Sequence, residues 1–233
     1  MTLQKTTPSP AAITIRVSTS ATEYEGVRTR LAQAFGQLYA GWSTAIDKHF
    51  DDHATFLTLT CEERLVGGIR ILTRHPQRPQ VPLPFEMGEL KSELTATQQI
   101  SVEYSGLWAA QAGYSITLAV LAARWLANTQ PHALAAAVYP TRNQLLRRLY
   151  LDSLGLVPVR DVCLQYADVT HNATALPVDW SLALDLPGTR LQRLQKLNQR
   201  PYVRRILDRC VFDAASENLS GIDSNYQFST SGK

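Results

Sequence analysis

Glu103 stands inside the stretch Ile100-Ser-Val-Glu-Tyr-Ser-Gly-Leu-Trp-Ala109, where Ile100, Val102, Tyr104 and Gly106 alternate with Ser101, Glu103, Ser105 and Leu107. That period of two, rich in β-branched and aromatic residues, predicts a strand. A carboxylate amid a core strand is costly unless a partner or a reaction uses it, which makes Glu103 a candidate general base, acting directly or through water. The alternative is a pairing with an arginine such as Arg70. Arg70, in the otherwise apolar strand Val66-Gly-Gly-Ile-Arg-Ile-Leu-Thr73, either neutralises Glu103 and the acidic loop or takes a substrate carboxylate bidentately. After Ala109 the loop Gln111-Ala-Gly-Tyr-Ser115 leads into the apolar run 116–126. A strand, a loop of small residues and a helix start aim free backbone N–H groups at one spot, suited to the polar arm of a cofactor or an anion. Ala109, Gln111, Gly113 and Ser115 are the candidates there, with Ser115 also placed to cap the helix.

The acidic loop Asp47-Lys-His-Phe-Asp-Asp52 offers Asp47, Asp51 and Asp52 to an ammonium group, or is a solvated loop. His49 and His53, four apart beside two aspartates, invite a metal. The segment reads as loop, and none is expected. Ser105 lies on a strand, lacks a G-x-S-x-G turn and has no triad partner in view, which argues against a serine hydrolase.

The elements that must position these groups follow from the pattern. Residues 13–17 read as a strand and 23–39 as a helix, with Tyr24, Val27, Leu31, Phe35 and Leu38 at helical spacing. Residues 55–61 and 65–73 form a hairpin, and 74–84, with four prolines, are an irregular loop. Residues 85–90 are a short strand or turn, and 93–99 a connector. Beyond the central strand and helix come a strand at 133–139, a helix from Arg142-Asn143 through Leu154 closed by Gly155, and pairing strands over 156–168. Residues 177–184 read as irregular, and 191–210 as a basic amphipathic helix or two split at Pro201. The domain division is a flexible lead 1–12, one domain 13–170, an extension 171–215 and a disordered tail 216–233. The order gives a mixed α/β sheet, not a doubly wound one.

With 233 residues, 45% hydrophobic and 18% charged, the chain has the composition of an ordinary globular protein. A net charge of +3 with dispersed Lys and Arg argues against nucleic acid and suits an acidic protein partner. Cys61, Cys163 and Cys210 are odd in number and far apart, which predicts reduced thiols in a cytoplasm. No stretch reads as a signal peptide or an integral membrane segment.

Taken together, the order and these residues resemble the GNAT fold of the general N-acetyltransferase superfamily over residues 13–168. Within it they resemble the autoinducer-synthase-like branch, which holds the acyl-homoserine lactone and long-chain N-acyl amino acid synthases. The pieces are Trp42, the acidic loop followed by Phe56-Leu57, the strand 66–73 and Val102-Glu-Tyr-Ser105. Asn143, Leu149-Tyr150 and Gly155 look like the Asn, Tyr and Gly of the family's last helix, with Gly155 one residue late. The lactone synthases read E-x-S-R where this chain has Glu103-Tyr-Ser-Gly106. The acetyl-CoA signature is reduced to Gln111 and Gly113.

The resemblance implies an α/β (α+β) fold, a GNAT-like three-layer α/β/α arrangement with a mixed, splayed central sheet. It implies an N-acyltransferase that moves a fatty acyl group from an acyl carrier protein, or acyl-CoA, to a primary amine of an amino acid, related amine or peptide side chain. These donors are co-substrates, and no cofactor is bound permanently. Glu103 would be the base and Tyr150 the acid toward the leaving thiolate. Arg70, Asp47, Asp51 and Ser105 would lie on the acceptor side, and Asn143 would join the donor loop. Trp42, Phe56, Leu72, Phe85, Leu107 and Trp108 line a fatty acyl tunnel or are simply core. The basic segment 190–209 docks a carrier protein, a peptide or a membrane surface, or covers the sheet with its arginines in water. Two other readings remain: an autoinducer synthase using S-adenosylmethionine, and an inactive acyl-binding sensor.

Overall fold

The computed structural model describes residues 11–35, 48, 50–74, 83, 88–90, 100–159, 164–166, 179–213 and 216–219. Ten strands are seen among them: β1 Ile13–Ser18, β2 Ala54–Cys61, β3 Arg64–Thr73, β4 Gly88–Leu90, β5 Val102–Ala109, β6 Ala135–Pro140, β7 Val157–Pro158, β8 Leu164–Tyr166, β9 Trp180–Asp185 and β10 Cys210–Phe212. They form one mixed sheet in the order β10-β1-β2-β3-β5-β6-β9-β8-β4, with β7 also paired to β9. The helices are α1 Glu25–Phe35, α2 Ala112–Thr129, α3 Gln144–Arg147, α4 Pro187–Asn198 and α5 Pro201–Leu207.

Alternation along the strands divides the core into two layers. Ile13, Ile15, Leu57, Leu59, Ile69, Ile71, Val102 and Tyr104 pack with α2, α4 and Val203 of α5. Phe56, Leu72, Ala136, Leu182 and Leu184 pack on the other face with Tyr24, Val27 and Leu31. This is the expected three-layer α/β/α architecture. The hairpin β2–β3 is antiparallel, and so is β3 against β5. The pair β5–β6 is parallel over Val102–Ala135, Glu103–Ala136 and Tyr104–Ala137. Pairing ends there although β5 continues to Ala109 and β6 to Pro140. The strands part at this point, which is the expected splay.

Four sequence expectations change. Residues 177–184 read as irregular, yet Trp180–Asp185 is a full strand paired with β6 along all six residues. Its burial on both sides removes the alternation that marks a half-exposed strand. The helix from Asn143 is α-helical only through Arg147, and Arg148–Ser153 is π-helical. A π turn takes an extra residue, which accounts for the late position of Gly155. Over 156–168, only Val157–Pro158 and Leu164–Tyr166 are strand among the described residues. The tail expected to be disordered contains, at Glu217–Leu219, a 3-10 turn with Leu219 fully buried. Arg124, buried in α2, donates to the Leu219 carbonyl at 2.8 Å and to Asn198 Oδ1 at 2.7 Å. The Ser216 hydroxyl donates to the Ile15 carbonyl at 3.1 Å. The lead 1–10, the connector 93–99, Cys163, most of the proline-rich loop and residues 220–233 lie outside the described residues.

Leu219→Ala should therefore cost about 2–4 kcal/mol, the usual range for emptying a buried leucine site. Urea unfolding measures it, and an unchanged midpoint would show that the tail contributes nothing.

Candidate active site

The parting of β5 from β6 coincides with a defect in β5 itself. Arg70 faces Ser105, but Gly68 faces Trp108, so β5 carries one residue more than β3 between these rungs. Gly106 supplies that bulge at φ 59°, the left-handed conformation that glycine adopts without strain. The Tyr24 hydroxyl donates to the Gly106 carbonyl at 2.5 Å. A Cβ at position 106 would sit 1.9 Å from that hydroxyl. A side chain there would be strained at this φ and would have to displace the Tyr24 hydroxyl, so this conformation disfavours the arginine that ends the E-x-S-R motif.

Glu103 is 3% exposed and sits three residues before the bulge glycine. Its rung partners Leu72 and Ala136 belong to the α1-side layer, so register places Glu103 on that face. Arg70, also 3% exposed, shares the face. It donates from Nε and Nη2 to Ser105 Oγ at 3.2 and 2.9 Å, and from Nη1 to Asp51 at 3.4 Å. Asp51, at the start of a 3-10 turn Asp51–His53, is shared with Arg28, whose Nη2 lies 2.6 Å away. The Arg28 guanidinium also lies 5.4 Å from the Tyr24 ring centroid. Glu103, Ser105, Arg70, Asp51 and Arg28 thus form one buried polar layer beneath α1. Charged groups in that setting are stable only as a mutually paired set.

The opposite face supplies Tyr150. It lies in the π-helical turn, is 4% exposed, and its ring centroid is 5.7 Å from that of Tyr139 on β6. Burial raises the phenol pKa, and the negative charge of Glu103 raises it further. Tyr150 is therefore held protonated, and it senses Glu103 across the sheet. An apolar cavity opens beside it, lined by Ile69, Ala119, Val120, Leu154 and Leu156, with Tyr104, Asp185 and Arg193 also in its wall.

The donor-side candidates cluster at the far end of β5. Ala109 pairs with Gly67, and Gln111 stands at the N-cap of α2 with no side-chain cap bond. Ser115 does not cap the helix. It lies within the first turn, and its hydroxyl donates to the Ala112 carbonyl at 2.7 Å. Gly113 faces α5, where an added Cβ would meet Ile206 Cδ1 at 2.8 Å. Asn143 caps α3, its side chain accepting from the Leu146 N–H at 3.1 Å.

The proposed tunnel residues separate. Leu107 packs with the α2-side layer and Trp108 with the α1-side layer, because consecutive strand residues point to opposite faces. Phe56 and Leu72 are core. Trp42, Asp47, His49 and Phe85 lie outside the described residues. Arg28 was not among the sequence candidates. The signal was present: it lies four residues after Tyr24, on the buried stripe of α1 with Val27 and Leu31.

Neither a family model nor a curated protein matches this chain. Solved structures do resemble it. The chain is similar to FeeM, an N-acyl amino acid synthase from uncultured soil microbes, at a TM-score of 0.51 and 14% identity, covering 81% of this chain and 98% of that one. A CoA-dependent acyl-homoserine lactone synthase, BjaI, solved with SAM and isopentyl-CoA, aligns at 0.49 and 17% identity over 87% and 93%. The spermidine/spermine N-acetyltransferase SpeG from Vibrio cholerae aligns at 0.49 and 14% over 78% and 98%. The likeness to FeeM bears on the fold, and the fold is the GNAT fold.

Tyr104, Tyr139 and Tyr150 have phenol pKa values raised by burial, and burial pushes the Cys210 thiol up to about 12. Each group keeps its proton in the folded chain at a pH where the unfolded chain releases it. Their stabilisation is complete below the unfolded pKa values and is lost as pH rises. The urea midpoint should fall from a pH of about 8.5 upward, and Cys210→Ala should remove the earliest part of that fall.

Proposed function

We propose that this chain is an N-acyltransferase that moves an acyl group from a thioester donor, an acyl carrier protein or acyl-CoA, to a primary amine. The acceptor class is an amino acid, a related amine or a peptide side chain. The observation that carries the reading is a buried carboxylate, Glu103, on the last but one rung before β5 and β6 part, followed within three residues by a glycine bulge. Beyond Tyr104 the β6-facing edge of β5 has no rung partner in β6, and backbone groups that leave a ladder need other partners, which suits a carbonyl oxygen lying in the gap.

The chemistry follows from that placement. The amine nitrogen attacks the thioester carbonyl carbon, the C–N bond forms and the C–S bond breaks. Glu103 takes the proton the amine loses, and the same proton balances the charge of the departing thiolate. A backbone N–H on the unpaired β6-facing edge of β5 stabilises the oxyanion, a contact that strengthens as charge develops. Tyr150, held protonated on the opposite face, donates a hydrogen bond to the leaving sulfur. Arg70, Asp51 and Arg28 hold Ser105 and the strand around the bulge, which fixes the base against the carbonyl. The conformation at Gly106 weighs against the lactone-forming alternative.

Intact mass spectrometry of reactions with a palmitoyl carrier protein, and separately palmitoyl-CoA, tests this against pooled amino acids and Lys-containing peptides. A mass gain of one acyl group on one acceptor is expected. Glu103→Gln should then lower kcat/KM at least about tenfold, roughly 1.4 kcal/mol of barrier.

The basic helices bear on the donor. Ile206 of α5 lies against Gly113 at the start of α2, and the side chain of Arg204 on α5 is 75% exposed. Arg204→Glu with Arg205→Glu should slow transfer from the carrier protein about tenfold at low salt and leave acyl-CoA turnover within twofold, since opposed charge acts mainly on encounter. Equal loss with both donors would remove the docking role.

A further inference from the structure

A second buried polar cluster lies on the other face of the sheet from Glu103 and Arg70. Asp185, at the end of β9, is fully buried. Its carboxylate accepts from Tyr104 Oη at 2.8 Å and from Arg190 Nε at 3.0 Å, and it also pairs with Arg193 Nη2. Arg190 continues outward, donating from Nη2 to the Ala133 carbonyl at 2.6 Å and from Nη1 to the Pro131 carbonyl at 3.3 Å. Those carbonyls belong to the segment that leads into β6.

Tyr104 and Asp185 are not on neighbouring strands. β6 lies between β5 and β9, so the bridge spans about 10 Å, two strand spacings. It passes over Ala135 and Ala137, which pair with Asp185 and Tyr104 respectively and share their face. Two alanines leave room for a phenol ring above the middle strand, and a larger residue would close the path. The bridge also sits on the final β5–β6 rung, Tyr104–Ala137. Beyond it the strands separate.

We propose that Tyr104 is a positioning residue: tied across β6 to Asp185 and α4, it fixes the point at which β5 and β6 part and so holds its neighbour Glu103 in reacting position. The catalytic consequence rests on the acyltransfer reading. The mechanical part does not. Without the tie, β5 and β6 are joined among the described residues by three parallel rungs and by the Ser101 and Val102 N–H groups donating to the Leu134 carbonyl, and parallel rungs are the weaker kind. Arg190 and Arg193 complete the device by neutralising Asp185 and anchoring the approach to β6. The C-terminal residues thus set the geometry of a site to which they contribute no reacting group.

Tyr104→Phe removes the hydroxyl and keeps the ring. Hydrogen exchange with residue resolution should show amides of Val102–Tyr104 and Ala135–Ala137 exchanging about tenfold faster, with the β2–β3 rungs unchanged, as expected of local opening. Where the wild type turns over, kcat should fall about tenfold with KM within about twofold, the signature of a misplaced reacting group. Ala137→Leu, which blocks the path with both ends intact, should give the same pattern, and combining it with Tyr104→Phe should add little. Unchanged exchange at these rungs, or a uniform rise over the whole sheet, overturns the proposal. An unchanged kcat in a variant whose rungs do open overturns its catalytic half. Absence of turnover in the wild type, with the exchange pattern as expected, counts against the acyltransfer reading and leaves the tie in place.

Discussion

Three parallel rungs between β5 and β6 are the constraint from which the rest of this architecture follows. On one side, β1, β2, β3 and β5 form an antiparallel sheet with long ladders, and on the other β6 pairs with β9 along its full length. Among the described residues the two halves share the rungs at 102–104, the backbone bonds to Leu134 just before them and the Tyr104–Asp185 bridge. Backbone N–H and C=O groups that leave a ladder must find other partners. A strand pair that opens in mid-sheet therefore creates a polar seam inside an apolar body, and a substrate carbonyl can use it. The glycine bulge at 106 and the loop before α2 follow in the chain just beyond the last rung.

Each face of the seam carries its own charge arrangement. On the α1 side, Asp51 is shared between Arg28 and Arg70, and Arg70 is turned onto Ser105. The guanidinium fork is thus engaged with protein acceptors, Ser105 and Asp51. On the α2 side, Asp185 gathers two arginines and a phenol. Charges this deep keep their place because every member is paired, and removing one leaves its partner exposed to the full desolvation cost. The seam is bounded by two paired polar layers with apolar core beyond them.

The parts readable from sequence are those whose signal is local. Glu103 and Arg70 announced themselves as charges on alternating apolar strands, and the bulge glycine stood where a family arginine was missing. Arg28 was equally local, an arginine on an apolar helical stripe, but a single charge there is easily read as lying on the solvated side. Trp180–Asp185 carried no such signal. Buried on both faces, it shows no alternation, and Pro177 before it and Pro187-Gly188 after it read as loop. The π turn is invisible to periodicity over so short a span. Its one trace was the displaced Gly155. The tie between Tyr104 and Asp185 joins residues far apart in sequence, and only the two alanines between them make it possible.

The pairing of β1 with β10 has a consequence for how the chain is made. Ile13, Thr14 and Ile15 lie parallel to Cys210, Val211 and Phe212, and the Ile15 carbonyl is met by Ser216. The ribosome delivers Ile13 long before Cys210, because every strand from β2 to β9 lies between them in the chain. Until β10 is made, the outer edge of β1 lacks this partner, an open template for a neighbouring chain. Contacts of such long sequence separation also form slowly. β10 therefore closes that edge late, after the other nine strands have been made.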